Sequence, residues 1–311
     1  MMYKVARLKR KNLFYCLTLF FISFMFVPGV SLAKNSVSSA QEESDQIIND
    51  FSLAGYGREG RKTWEITGKS ADIFTDVVKL KQIVGNLYDE EENIKLTADK
   101  GDFNKENGMV HLEQNVIITT SGGARLTTDS LHWDRQNQLV STDDKVNIQR
   151  EDMHLVAQGA QGRPDLNEVV LEKDIQMNIA DGEVASGSST QGQEVVITCD
   201  GPLQIDYQKN VATFNKNVKV DRQGMQILSD IMEVYFITSE GQKRSPEETA
   251  MPLGGKIDKI IARGNVKIIR GENISYSEEA TYSASDKKII LSGRPKLVIY
   301  SRENESAPFG D

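Results

Sequence analysis

Leu96-Thr97-Ala98-Asp99-Lys100-Gly101-Asp102-Phe103, followed after three residues by Asn107-Gly108-Met109-Val110-His111-Leu112-Glu113-Gln114-Asn115-Val116-Ile117-Ile118, decides the fold. Apolar residues fall on alternate positions, which gives a β-strand one buried face. Asn107-Gly108 is a dipeptide suited to a tight hairpin turn. Two short signatures stand out, Leu-Thr-Ala-Asp and Asn-Val-Ile-Ile, and both recur.

The second signature returns as Lys145-Val146-Asn147-Ile148, Asp174-Ile175-Gln176-Met177, Asn217-Val218-Lys219-Val220, Asn265-Val266-Lys267-Ile268 and Lys296-Leu297-Val298-Ile299. The first returns as Leu126-Thr127-Thr128-Asp129, Leu155-Val156-Ala157-Gln158, Ile197-Thr198-Cys199-Asp200 and Ile227-Leu228-Ser229-Asp230. The spacing is about 30 residues except where a Gly/Ser-rich segment (180–193) and a Pro- and Gly-containing segment (239–256) intervene. No stretch after residue 50 sustains a helical stripe; residues 41–50 read as a short helix or a tether. Alternation leaves each sheet with one apolar face, which must be covered by another. The expectation is an all-β chain, a curved antiparallel two-sheet sandwich or jelly-roll repeated along one axis.

Composition narrows the function. The chain has 37 Lys+Arg against 45 Asp+Glu, a net charge of −8. The five charges before residue 34 are all basic, so the remainder carries 32 against 45, a net of −13. That argues against nucleic acid as a partner. The N-terminus joins Lys4, Arg7, Lys9, Arg10 and Lys11 to an uncharged run, Leu13 to Val27, then Ser31-Leu32-Ala33. Two readings stay open: a cleaved secretory signal, or an uncleaved single-pass inner-membrane anchor. Both place Lys34 onward outside the cytoplasm, because the basic end stays inside. Cys199 is the one cysteine after this segment, so no intramolecular disulfide forms in a cleaved product.

Catalytic signatures are missing. His111, His132 and His154 sit about one repeat apart with no chelating spacing, and no P-loop, dinucleotide fingerprint or nucleophile elbow occurs. The acidic run Asp89 to Glu92 reads as a solvated turn. The expectation is no enzyme, no metal and no cofactor. Trp64, Trp133, Phe103, Tyr207, Tyr235, Phe236 and Tyr282 read first as core.

The opening stretch resembles the periplasmic lipopolysaccharide-export proteins of the OstA-like family. Gly60 to Ala71, with Trp64, resembles the first strand of the LptC-type member, and the likeness runs over about residues 50–180. Residues 194–301 resemble the LptA-type partner through Asn217-Val218, Asn265-Val266 and Gly293-Arg294-Pro295. The resemblance implies tandem β-jelly-rolls of V-shaped antiparallel sheets with open ends. It implies an apolar groove that carries the acyl chains of lipopolysaccharide. It also implies a bridge from an inner-membrane ABC transporter complex, through other OstA-like proteins, to outer-membrane assembly.

The domain expectation is 1–33 signal or anchor, 34–50 polar tether, 51–180 first module, 181–193 linker, 194–301 second module and 302–311 tail. Candidates for the lipid-facing lining are Val116, Ile118, Val146, Ile148, Ile175 and Met177 in the first module, with Phe103 and Trp133. Val218, Val220, Val266, Ile268, Leu297 and Ile299 are those of the second. Strands near Trp64 and at Pro295–Tyr300 are candidate edges for partner strands or a head-to-tail oligomer. The rival function is a structural or adhesive β-repeat protein of the envelope.

Overall fold

The computed structural model describes residues 44–57, 60–88, 93–134, 136–150, 153–163, 168–180, 194–206, 208–236, 257–286 and 288–300. The signal or anchor, the linker 181–193, Tyr207, the insertion 239–256 and the tail 302–311 lie outside the described residues. Among the described residues 81% are in strands and none is helical, which is the all-β class expected from the alternation.

Among the described residues seventeen strands occur: β1 (Gln46–Tyr56), β2 (Lys62–Ile73), β3 (Val77–Leu87), β4 (Ile94–Asn104), β5 (Val110–Thr120), β6 (Arg125–Asp134), β7 (Leu139–Arg150), β8 (Met153–Arg163), β9 (Glu168–Ala180), β10 (Glu194–Cys199), β11 (Leu203–Asp206), β12 (Val211–Arg222), β13 (Met225–Phe236), β14 (Ile257–Arg270), β15 (Asn273–Ser283), β16 (Lys288–Ser292) and β17 (Lys296–Val298). They form one antiparallel sheet in which strands pair with chain neighbours. Two strands are interrupted. β10 and β11 pair with the two halves of β12, and β16 and β17 with the two halves of β15. Residues 46–50, expected to belong to a tether or short helix, are instead the first half of β1. Ile47 and Ile48 take up register against Asp72 and Ala71, and backbone pairing overrides the polar composition of the segment.

The contacts divide into two compact units. Of the described residues, the first holds those from 44 to 146 with 160–163 and 168–169, and the second those of 147–159 and from 170 to 300. In the first, Trp64, Leu87, Val116, Leu131 and Trp133 belong to one buried cluster, with Phe51, Ile73, Ile118 and Val140 packed against it. In the second, Phe214 is buried between Leu203 on β11 and Met232 on β13, directly opposite it on either side. Each fully buried apolar side chain of this kind contributes about 1.5–3 kcal/mol relative to an exposed one.

The recurring signatures acquire a shared meaning. Gln114 and Asn115 have φ of 65° and 54°, Lys216 and Asn217 64° and 52°, and Gly264 and Asn265 75° and 47°. At each pair the register shifts, two residues facing one on the next strand. These are β-bulges, which bend a strand and increase its twist. Asparagine tolerates the left-handed conformation better than most side chains. Its amide then reaches the aspartate of the other signature. Asn115 donates to Asp99 at 2.6 Å, Asn217 to Asp200 at 2.5 Å and Asn265 to Asp230 at 2.8 Å. The residue before each aspartate (Ala98, Cys199, Ser229) is small and buried. Asp174 repeats the left-handed conformation singly, with φ of 52°.

Candidate lipid-facing interior

Most of the proposed lining lies on the buried face. Val116, Val146, Ile148, Ile175, Met177, Val218, Val266, Ile268, Phe103 and Trp133 are buried. Ile118 and Val220 are half-buried. In the first unit Phe103, Val110 and Trp133 stand side by side on β4, β5 and β6.

In the second unit the registers define rows across β12 to β17. Val218 faces Ser229, and Val266 faces Ser277; all four are buried. Side chains alternate faces along a strand, so residues two positions further lie on the same face. The next row is Val220, Ile227, Ile268, Ser275 and Leu297. Burial fades along it: Ile268 is buried, Val220 and Ile227 half-buried, and Leu297 is 62% exposed. Ile299 is 71% exposed. These last two were expected in the lining with the rest. Leu297 lies on β17, which is only three residues long, and Ile299 just beyond its end. The third row is Arg222, Met225, Arg270 and Asn273. The interior is therefore closed beside the bulges and uncovered toward the C-terminal strands.

The other predicted groups are now placed. Tyr235, Phe236 and Tyr282 are half-buried. Cys199 is buried, and burial pushes its thiol above the ordinary range, which favours the unreactive protonated form. Among the described residues no group of three His, Cys, Asp or Glu is placed to hold a metal ion. No described helix is long and apolar enough to cross a membrane.

One association escaped the reading of spacings. His111 and His132 are directly opposite on β5 and β6. Their rings stack with centroids 4.0 Å apart and Nδ1 atoms 3.0 Å apart, and His111 Nε2 lies 2.7 Å from Glu113. The signal available was pairing of the strand that begins with Val110-His111 with the one that closes on His132-Trp133. Burial, then the neighbouring His111, lowers the His132 pKa, against the opposing pull of Asp143, Asp144 and Glu113. The folded chain thus favours neutral His132. Its contribution to stability is full above the unfolded value near about 6.5 and falls as pH drops through and below it. Thermal unfolding followed between neutral and mildly acidic pH is expected to show a smaller acid-side loss in His132→Gln than in the unsubstituted chain. Parallel curves would remove the pair from this role.

Residues 14–180 match the family described as lipopolysaccharide-assembly, LptC-related. The chain belongs to this family. Residues 197–310 match a second family, described as LptA/(LptD N-terminal domain) LPS transport protein. No curated protein matches the chain. An LptC-related module followed by an LptA-type one is the order that the resemblance of the repeats implies. Both are families of periplasmic transport-bridge proteins and neither is a family of enzymes, so the chain has a role in lipopolysaccharide transport. Lipopolysaccharide and other Lpt proteins are the partners that go with these domains.

Proposed function

We propose that this LptC-related chain carries lipopolysaccharide by shielding its acyl chains against the apolar interior face. It would serve as a bridge segment between an inner-membrane ABC transporter complex and outer-membrane assembly. The observation that carries this reading is the graded interior of the second unit, sealed at Val218 and Val266 and open at Leu297. Each acyl methylene moved from water onto such a surface gains about 0.8 kcal/mol. The attraction has no preferred direction, so a chain can slide from row to row; energy for net movement comes from a partner.

The terminal strands fit a role in assembly. β2, the strand of Trp64 expected as an edge, is paired on both sides by β1 and β3; in its place β1 presents Ile47, Ile48, Leu53 and Tyr56 to solvent, and in the second unit Ile289, Ile290, Leu297 and Ile299 are exposed. A partner strand would satisfy backbone groups and cover such side chains together. A second copy joined head to tail would do so equally. The linker proposed at 181–193 falls between the two family matches, of which the first ends at residue 180 and the second begins at residue 197. The first match begins inside the apolar run Leu13–Val27, which supports retention of that run as an anchor beside the cleaved-signal reading.

Photoreactive residues placed at 118, 148 or 268 are expected to crosslink lipopolysaccharide in cells, and those at 117 or 267 to do so weakly. Labelling confined to 117 and 267 would reject the interior as the lipid path. Absence of lipid capture, with envelope lipid export intact after deletion, would favour a structural or adhesive β-repeat protein.

A further inference from the structure

The tip of the second unit carries cations where the rest of the interior face is uncharged. Arg222 is the last residue of β12 and Arg270 the last of β14, and each precedes a two-residue turn, Gln223-Gly224 and Gly271-Glu272. Arg222 faces Met225 and Met225 faces Arg270. Two strand spacings, about 10 Å, therefore separate the two arginine backbones. Both are exposed, and Arg270 Nη2 lies 3.6 Å from the Met225 sulfur. Arg150 occupies the same position at the end of β7, following Val146 and Ile148 on the buried face, and is itself buried. It belongs to the same unit. The three interior rows from Val218 to Asn273 contain no carboxylate, in a chain whose net charge is −8.

We propose that Arg222 and Arg270 form a phosphate-reading lip at the open end of the apolar face. The occupant is a phosphate-bearing amphiphile, its alkyl chain lying along Val220, Ile227, Ile268 and Leu297 and its phosphate held by the guanidinium groups. This rests on the reading of the interior as a lipid path and adds the headgroup chemistry. Guanidinium suits the task because its planar fork donates two parallel hydrogen bonds to phosphate oxygens. Apolar contact alone holds any alkyl chain; the arginines confer preference for one with an anionic head.

The test titrates the full chain with n-dodecyl phosphate, n-dodecyl maltoside and inorganic phosphate by calorimetry at near-physiological salt. The expected result is tighter binding of the alkyl phosphate than of the maltoside. In Arg222→Gln/Arg270→Gln that affinity falls about 10-fold or more while the maltoside is unaffected, and Arg→Lys at both positions recovers part of it. Both variants alter exposed side chains and should keep the unfolding midpoint. Equal affinity for the two amphiphiles, or no loss in the Gln variant, overturns the lip and leaves the apolar path standing. Binding of inorganic phosphate as tight as that of the alkyl phosphate also overturns it, marking a simple anion site. Failure of both amphiphiles to bind overturns the lip together with the lipid path.

Discussion

Phe214→Ala is expected to lower the stability of the second unit by about 3–5 kcal/mol, the range for truncating a fully buried phenylalanine. Phe214 is 1% exposed, and its neighbours across β11 and β13, Leu203 and Met232, are equally buried. Removal of the ring takes contacts from both sides at once. Neither neighbour can collapse into the space without leaving its own register position. Both tryptophans, Trp64 and Trp133, lie in the first unit, so the loss should be followed by circular dichroism in urea. The expected sign is a lower midpoint at unchanged slope. Ile290→Ala, at a residue 62% exposed, serves as the comparison and should change the midpoint little. Equal effects from the two substitutions would mean that Phe214 is not part of a packed core.

Gly201→Ala should be at least as damaging, by about 3 kcal/mol or more, through the backbone and not through packing volume. Gly201 sits at φ of +97°, between β10 and β11. A Cβ there would lie 2.3 Å from the Glu172 carbonyl oxygen and 2.9 Å from its carbon. Backbone atoms inside a paired strand cannot move aside as a side-chain end can. Gly224 provides the contrast. It has φ of +75° with nothing within 4 Å of a Cβ, so Gly224→Ala carries only the left-handed strain, about 1 kcal/mol. Thermal midpoints of the two variants should differ widely. Similar midpoints would show that the close approach of Glu172 to Gly201 is not kept in solution.

Alternation alone was enough to read the strands, because a half-buried β-strand writes its two faces into every second residue. Val116, Ile148, Met177, Val218 and Val266, which it puts on the apolar side of their strands, are buried. It could not rank the cover. Leu297 and Ile299 carry the same pattern as Val218 but sit on and just beyond the last, short strand, and burial depends on neighbours that no local pattern encodes. The bulges were half legible. Turn-prone Asn115, Asn217 and Asn265 stood out before their Val-x-Ile or Val-x-Val cores, and the aspartates of the companion signature stood out too. That one donates to the other follows only from the register, which places Asn115 beside Asp99 and Asn265 beside Asp230 across the strand pair. The histidine pair was hidden for the same reason: His111 and His132 are distant in sequence and become neighbours when β5 meets β6. The arginine lip was missed because Arg222 and Arg270 look like ordinary solvated residues before a turn until their rows are traced back to Val218 and Val266.

Pairing of strands with chain neighbours carries a kinetic consequence. A meander has low contact order: most of its ladders close over short stretches of polypeptide, at small entropic cost. The fold can therefore grow vectorially, each new hairpin adding to an existing template as synthesis or export proceeds. The slowest ladder should be β13 with β14, whose joining segment spans residues 237–256, and shortening that segment should hasten assembly of the last third of the chain.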